Sequence, residues 1–184
     1  MQPAEHAPLV EIEPALSNVS WAPDIVVQSI EPLFVYLRAD GPRHLRPIHA
    51  SSLRLGMRPD QQPGTVVVQA TRRYELTPLL VHSTSWRFES GRVVLTYVAV
   101  VQAPEGDPNE NLADEPVERA HLARGDAFAP PPRIDVAQVL EHAFRHLAWL
   151  VKDDEEVHAA LPDWAGFLSA YEPEPFRSFG TPPG

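Results

Sequence analysis

The segment from Leu79 to Gln102 constrains the fold more than any other, because it reverses on itself. Leu-Leu-Val-His-Ser-Thr-Ser-Trp-Arg-Phe-Glu runs into Ser90-Gly91, and Arg-Val-Val-Leu-Thr-Tyr-Val-Ala-Val-Val-Gln runs back. Two β-rich runs flanking a two-residue turn with glycine predict a hairpin. Pairing outward from the turn sets Glu89 against Arg92, Phe88 against Val93, Trp86 against Leu95, Thr84 against Tyr97 and His82 against Ala99. One face then carries Phe88, Trp86, Leu95, Tyr97 and His82, and the other alternates Arg87, Ser85 and Ser83 with Val94, Thr96 and Val98. The aromatic face is expected to be the buried one.

The rest of the chain is punctuated by 21 prolines among 184 residues, so its regular elements must be short or separated by rigid loops. Residues 1–24, with prolines at 3, 8, 14 and 23, read as an extended arm. Short strands are predicted over Ile25–Ile30, Leu33–Arg38 and Arg43–Ser51, where Pro47 demands an edge position. Arg54–Gly64 reads as loop, and Thr65–Thr71, with three consecutive valines, as a buried strand. Residues 103–133 have the composition of a long proline-rich, acidic loop, with room for a helical turn at Pro116–Ala123.

Helical spacing begins only at Asp135–Lys152, where Val136, Val139, Leu140, Ala143, Leu147, Leu150 and Val151 share one stripe. Two shorter helices are predicted over Asp154–Ala160, capped by Asp153, and Asp163–Ala170. Strands first and helices after define a single α+β domain spanning 1–184, a mainly antiparallel or mixed sheet covered by a helical C-terminal part at 134–171.

Several functions are excluded or weakened by composition. No cysteine is present, which removes thiolate catalysis and thiolate metal sites. No apolar run approaches the roughly 20 residues that cross a bilayer, and the N-terminus lacks a signal-peptide pattern, so a cytoplasmic protein without membrane contact is the expectation. A net charge of −10 argues against nucleic acid as a partner. Its distribution is uneven: nine arginines face five acids over residues 31–92, whereas sixteen acids face six basic residues over 103–184. The two halves either neutralise each other or leave Arg43, Arg46, Arg54 and Arg58 to bind a small anionic ligand. No glycine-rich phosphate loop accompanies those arginines.

His142 and His146 form an H-x-x-x-H pair on the long helix, a spacing that could hold a metal if His49, His82 or His158 supplied a third ligand. The glutamate of a zincin is absent, and histidines at a core boundary more commonly bond a backbone carbonyl. Ser83 beside His82 is no nucleophile and base, because neighbours on a strand point to opposite faces. No pattern names a cofactor.

The run Ser85 to Val101, Ser-Trp-Arg-Phe-Glu-Ser-Gly-Arg-Val-Val-Leu-Thr-Tyr-Val-Ala-Val-Val, resembles the hairpin that follows the catalytic helix in Nudix hydrolases, which cleave nucleoside diphosphates linked to another group. The family's Mg²⁺-binding helix is defined by a glycine, a following glutamate, and Arg-Glu and Glu-Glu pairs, and no segment here supplies them. Between Val68 and Leu79 the single acid is Glu75. The resemblance therefore implies a scaffold without the family's catalytic residues. The chain reads as a noncatalytic binding or protein-interaction domain, with a protein partner or a homodimer. A diverged Nudix-like nucleotide or phosphate-ester hydrolase is the second reading, and a metal-binding protein using His142 and His146 the third.

Overall fold

A computed structural model describes residues 28–50, 52–58, 60–122 and 134–174. The expected arm at 1–24 lies outside the described residues. Six strands, β1 (Gln28–Arg38), β2 (Gly41–Pro47), β3 (Leu55–Gly56), β4 (Pro78–Glu89), β5 (Arg92–Val101) and β6 (Leu112–Pro116), form one sheet. The helices are α1 (Pro63–Arg73), α2 (Val136–Asp153), α3 (Glu155–Ala160) and α4 (Trp164–Leu168). The strand order is β4-β5-β1-β2-β6, with the short β3 also paired to β1. All pairs are antiparallel except β1 with β5, which run parallel from Gln28 opposite Val93 to Val35 opposite Val100. The fold is α+β with a mixed sheet.

Both faces of that sheet are covered. Leu33, Val35, Val98 and Val100 pack against Leu140, Phe144 and Leu147 of α2 and against the α3–α4 region, where Trp164 and Tyr171 close on the Phe144 ring. On the opposite face Ile30, Phe34, Tyr36, Ala99 and Val101 pack against Val66, Val67 and Ala70 of α1. The expected strand at Thr65–Thr71 is therefore a helix. Pro63 suits its first turn and the buried Val66, Val67, Ala70 and Thr71 recur at helical spacing, so tertiary burial overrides the β-preference of the three valines. The helix ends with Leu76 N–H bonding Thr71 O and Glu75 N–H bonding Arg72 O, a Schellman closure that holds Glu75 at φ 60°.

Other boundaries differ for identifiable reasons. The strands expected over Ile25–Ile30 and Leu33–Arg38 run on as one from Gln28, because Pro32 falls in the gap between the β3 partners Ser29 and Ile30 and the β2 partners beginning at Phe34, where no ladder bond is lost. β2 is internal and not an edge, and Pro47 is tolerated as its last residue, opposite Leu112. The 103–133 loop contains β6, no helical turn forms at residues 117–122, and 123–133 lie outside the described residues. Asp154, and not Asp153, caps α3 by accepting from the N–H groups of Glu156 and Val157.

The hairpin turns at Ser90 and Gly91, with φ of 50° and 76°, as a type I′ turn requires. Glu89 pairs with Arg92 and Trp86 with Leu95, as expected. Beyond Ser85 a bulge at Thr84 shifts the register, so Ser83 meets Tyr97 and His82 meets Val98. The face assignment is reversed at the tip. Val94, Thr96 and Val98 are buried, whereas Trp86 and Phe88 are 37% and 36% exposed. The reason is length: α1, with 11 residues, spans about 16 Å, against about 40 Å for the 12 residues of β4.

Two substitutions separate these environments. Trp86→Ala should cost less than about 1 kcal/mol, and Phe144→Ala, at a fully buried ring, about 3–5 kcal/mol in urea unfolding. Glu75→Gly should raise stability by about 0.5–1 kcal/mol by releasing the left-handed strain, measured by the same titration.

Candidate functional site

The arginines do not converge. Arg43 binds Asp114 through Nε at 2.9 Å and the Asp114 carbonyl through Nη2. Arg46 is bidentate to Glu115 and also donates to the carbonyls of Pro47 and Ala50, which leaves its guanidinium largely committed. Arg54 bridges Glu31 and Glu89, and Arg58 sits in solvent beside Asp60 at 3.4 Å. The expected anion site is thus replaced by separate ion pairs, two of them with β6. Antiparallel pairing sets basic β2 beside acidic β6, so the Arg-rich middle is neutralised by the strand next to it. Burial opposes ionisation of Asp114, but hydrogen bonds from Arg43 and Tyr36 outweigh it and hold its carboxyl below the usual range.

A surface hollow of about 480 Å³ lies beside Arg46, His49 and Glu115. Its one guanidinium already serves Glu115 and two carbonyls, so the hollow offers an anion little.

Two buried carboxylates had no sequence signal of a site. Glu31, 2% exposed, accepts from Arg87 at 2.8 Å and pairs with Arg54 at 3.1 Å. Glu141, fully buried on α2, is clamped by Arg119 and Arg145. Burial opposes its charge, and those two hydrogen-bonded guanidiniums reverse the effect. Arg119 also lies 4.0 Å over the Tyr171 ring and donates to Ala170 O, so this cluster ties residues 119–120 and 170–174 to α2. Glu141 and Arg145 stand four residues apart on one face of α2. These are structural networks with matched charge.

Histidines do converge, along the seam between β4 and α2. His82 Nε2 lies 2.9 Å from His146 Nε2, with the rings stacked at 5.0 Å. His142 Nε2 is 3.2 Å from Thr84 O, the carbonyl of the bulge. A carbonyl only accepts, so His146 Nδ1–H donates to Glu174 O and leaves Nε2 to accept from His82 Nε2–H. The bulge causes this meeting, because it turns His82 to the α2 face. Burial pushes His146 down to about 4, reinforced by His82, and burial also lowers His82.

The two histidines of the metal reading, His142 and His146, are directed to different partners. Their Nε2 atoms already face Thr84 O and His82. Among the described residues no group of three or more His, Asp or Glu is arranged to hold a metal ion. His158 is turned to Val151 O, and His49 lines the hollow beside Arg46.

What the seam supports is the outer strand of the sheet. Among the described residues β4 pairs with β5 alone, leaving its other edge without a ladder. Three of the four exposed large apolar side chains, Leu79, Trp86 and Phe88, stand on this one strand. Trp86 and Phe88 were legible as aromatics, but their exposure depends on where α1 stops.

The architecture defines an α+β protein with a mixed sheet between helical layers. No helix among the described residues is long and apolar enough to cross a membrane. No family model and no curated protein matches the chain. Among solved structures, one described as the solution structure of the E. coli ORF135 protein is similar at 15% identity over 50% of this chain and 75% of that one, with a TM-score of 0.32. At that distance the likeness bears on neither fold nor function.

The buried histidines set a pH dependence. His44, 5% exposed, is also pushed down to about 4 by burial. Both histidines bind protons more weakly folded than unfolded, where the ordinary value is about 6.5. Their stabilisation is complete above that value and declines as pH falls towards about 4. Between pH 7 and 5 urea unfolding should lose ~1–2 kcal/mol per histidine at constant m-value. His146→Phe should flatten that slope by about half, whatever its effect at pH 7. The depressed carboxyls of Asp114, Glu115 and Glu141 act at lower pH and leave this window to the histidines.

Proposed function

We propose that this protein is a noncatalytic binding domain whose contact surface is the outer edge of β4. The observation that carries this reading is that Leu79, Trp86 and Phe88 stand on a strand whose outer edge pairs with no other strand among the described residues, since exposed apolar side chains beside an open sheet edge mark a contact surface. Among the described residues, titratable side chains of the interior are engaged with one another or with carbonyls. His82 and His146 face one another, His142 and His158 face carbonyls, and the buried acids Glu31 and Glu141 face arginines.

The Nudix resemblance fits this reading better than it fits hydrolysis. α1 lies directly before the hairpin, where that family carries its catalytic helix, yet α1 has no acid and ends in Arg72 and Arg73. Glu75 follows the helix with its carboxylate beside Asn109. Glutamates that are not there cannot chelate Mg²⁺.

Placing a photo-crosslinking residue at position 86 or 88 in cells should give a covalent protein adduct, and at exposed Lys152 on the helical side it should not. Absence of adducts at both strand positions would remove the binding reading. Purified protein with Mg²⁺ or Mn²⁺ should show no turnover of nucleoside diphosphate derivatives above buffer, and turnover would reinstate the hydrolase alternative.

A further inference from the structure

We infer that the occupant of the β4 edge is the β4 edge of a second copy of this chain, joined antiparallel to form one continuous sheet; this rests on the binding reading above and names its partner. Edge strands are normally blunted by lysine, interior proline, brevity or bulges. β4 has 12 residues, no lysine, and proline only at its first position. Its irregularities, at Leu79 and Thr84, both lie before Ser85, and the five residues from Ser85 to Glu89 run regularly opposite β5 down to the turn.

A twofold axis normal to the sheet pairs identical edge strands antiparallel and keeps the α1 layers of both copies on one side. An axis through Arg87 then sets Trp86 of each copy opposite Phe88 of the other. Directly opposed side chains sit about 4.5–5.5 Å apart at Cβ, within aromatic contact. The four rings would fill the strip of sheet that each α1 leaves uncovered, so the surface that α1 is too short to cover is closed by its own copy.

Charge permits this seam although the chain carries −10 overall. β4 holds one base and one acid, Arg87 and Glu89. Arg87 is held by Glu31 and Glu89, and Arg54 bridges the same two carboxylates, so two guanidiniums balance two acids. Two Arg87 side chains facing each other across the axis therefore meet as neutralised groups. The assembled sheet would carry five strands of each copy in a row, at the upper end of ordinary open sheets.

Sedimentation velocity of the full chain, from micromolar to hundreds of micromolar, should show a monomer–dimer equilibrium. Trp86→Lys with Phe88→Lys should raise the dimer Kd at least about tenfold while circular dichroism stays unchanged. Amide hydrogen exchange of wild-type protein should show protection at 85–89 that rises with concentration, which decides the question even if the double variant misfolds. A wild-type monomer throughout, a dimer unaffected by the double substitution, or exchange at 85–89 independent of concentration would each overturn the proposal. Crosslinks from position 86 or 88 to a different protein, with the purified chain monomeric, would overturn the self-pairing and leave the binding reading intact; no crosslinks at all would remove both.

Discussion

The parallel pairing of β1 with β5 is the constraint on which the remaining structure hangs. It joins a strand near the start of the described chain to one more than sixty positions later, and the intervening segment must return to the same sheet. That segment supplies β2 and β3 on one side of β1, β4 on the far side of β5, and α1 across one face. Once the two strands lie side by side, both their faces are interior. Ile30 and Leu33–Tyr36 are almost wholly buried in succession, and so are Val98–Val101. Strands buried on both sides read as continuous apolar runs, and a parallel pair needs helical cover on each face.

That two-sided burial explains what was legible and what was not. The hairpin, its turn and the helix at 136–153 announced themselves because their signals are local: two positive-φ residues between β-rich runs, and an apolar stripe at helical spacing. α1 was hidden because its valines favour a strand and its helical burial pattern has meaning only beneath Ile30 and Phe34. The hairpin face was misassigned for the same reason. A sheet with one covered side would bury Trp86 and Phe88 and expose Val94 and Thr96, whereas a sheet with two covered sides buries whatever the helices reach. Of the candidate site, the aromatics and histidines could be named from sequence. Their fates depended on the end of a helix and the position of a bulge, neither of which leaves a local mark.

The uneven charge distribution proves to be architectural. Asp114 and Glu115 look like part of an acidic loop until β6 pairs with β2, when they fall beside Arg43 and Arg46. Glu31 is an acid at the sheet centre, made tolerable by arginines from two other segments. Glu141 plays the same part on the helical side with Arg119 and Arg145. Removing one partner from such a cluster leaves a buried charge uncompensated, so these pairs specify which segments meet more than they add stability.

The bulge at Thr84 makes the sheet count residues. Between the turn at Ser90 and the bulge, odd-numbered positions of β4 look towards α2, and past the bulge even-numbered positions do. The change of phase comes from the bulge, which sets one more residue on β4 than on β5. Regular pairing of these same residues outward from the turn would rotate Leu80 and His82 to the α1 side, empty the seam at His146 and leave Val81 on the wrong layer, whereas loss of Thr84 itself would close the bulge with Leu80 still opposite Val100 and His82 opposite Val98. The bulge thus keeps Leu80 and His82 in the α2 layer while the turn end of the strand follows its own alternation.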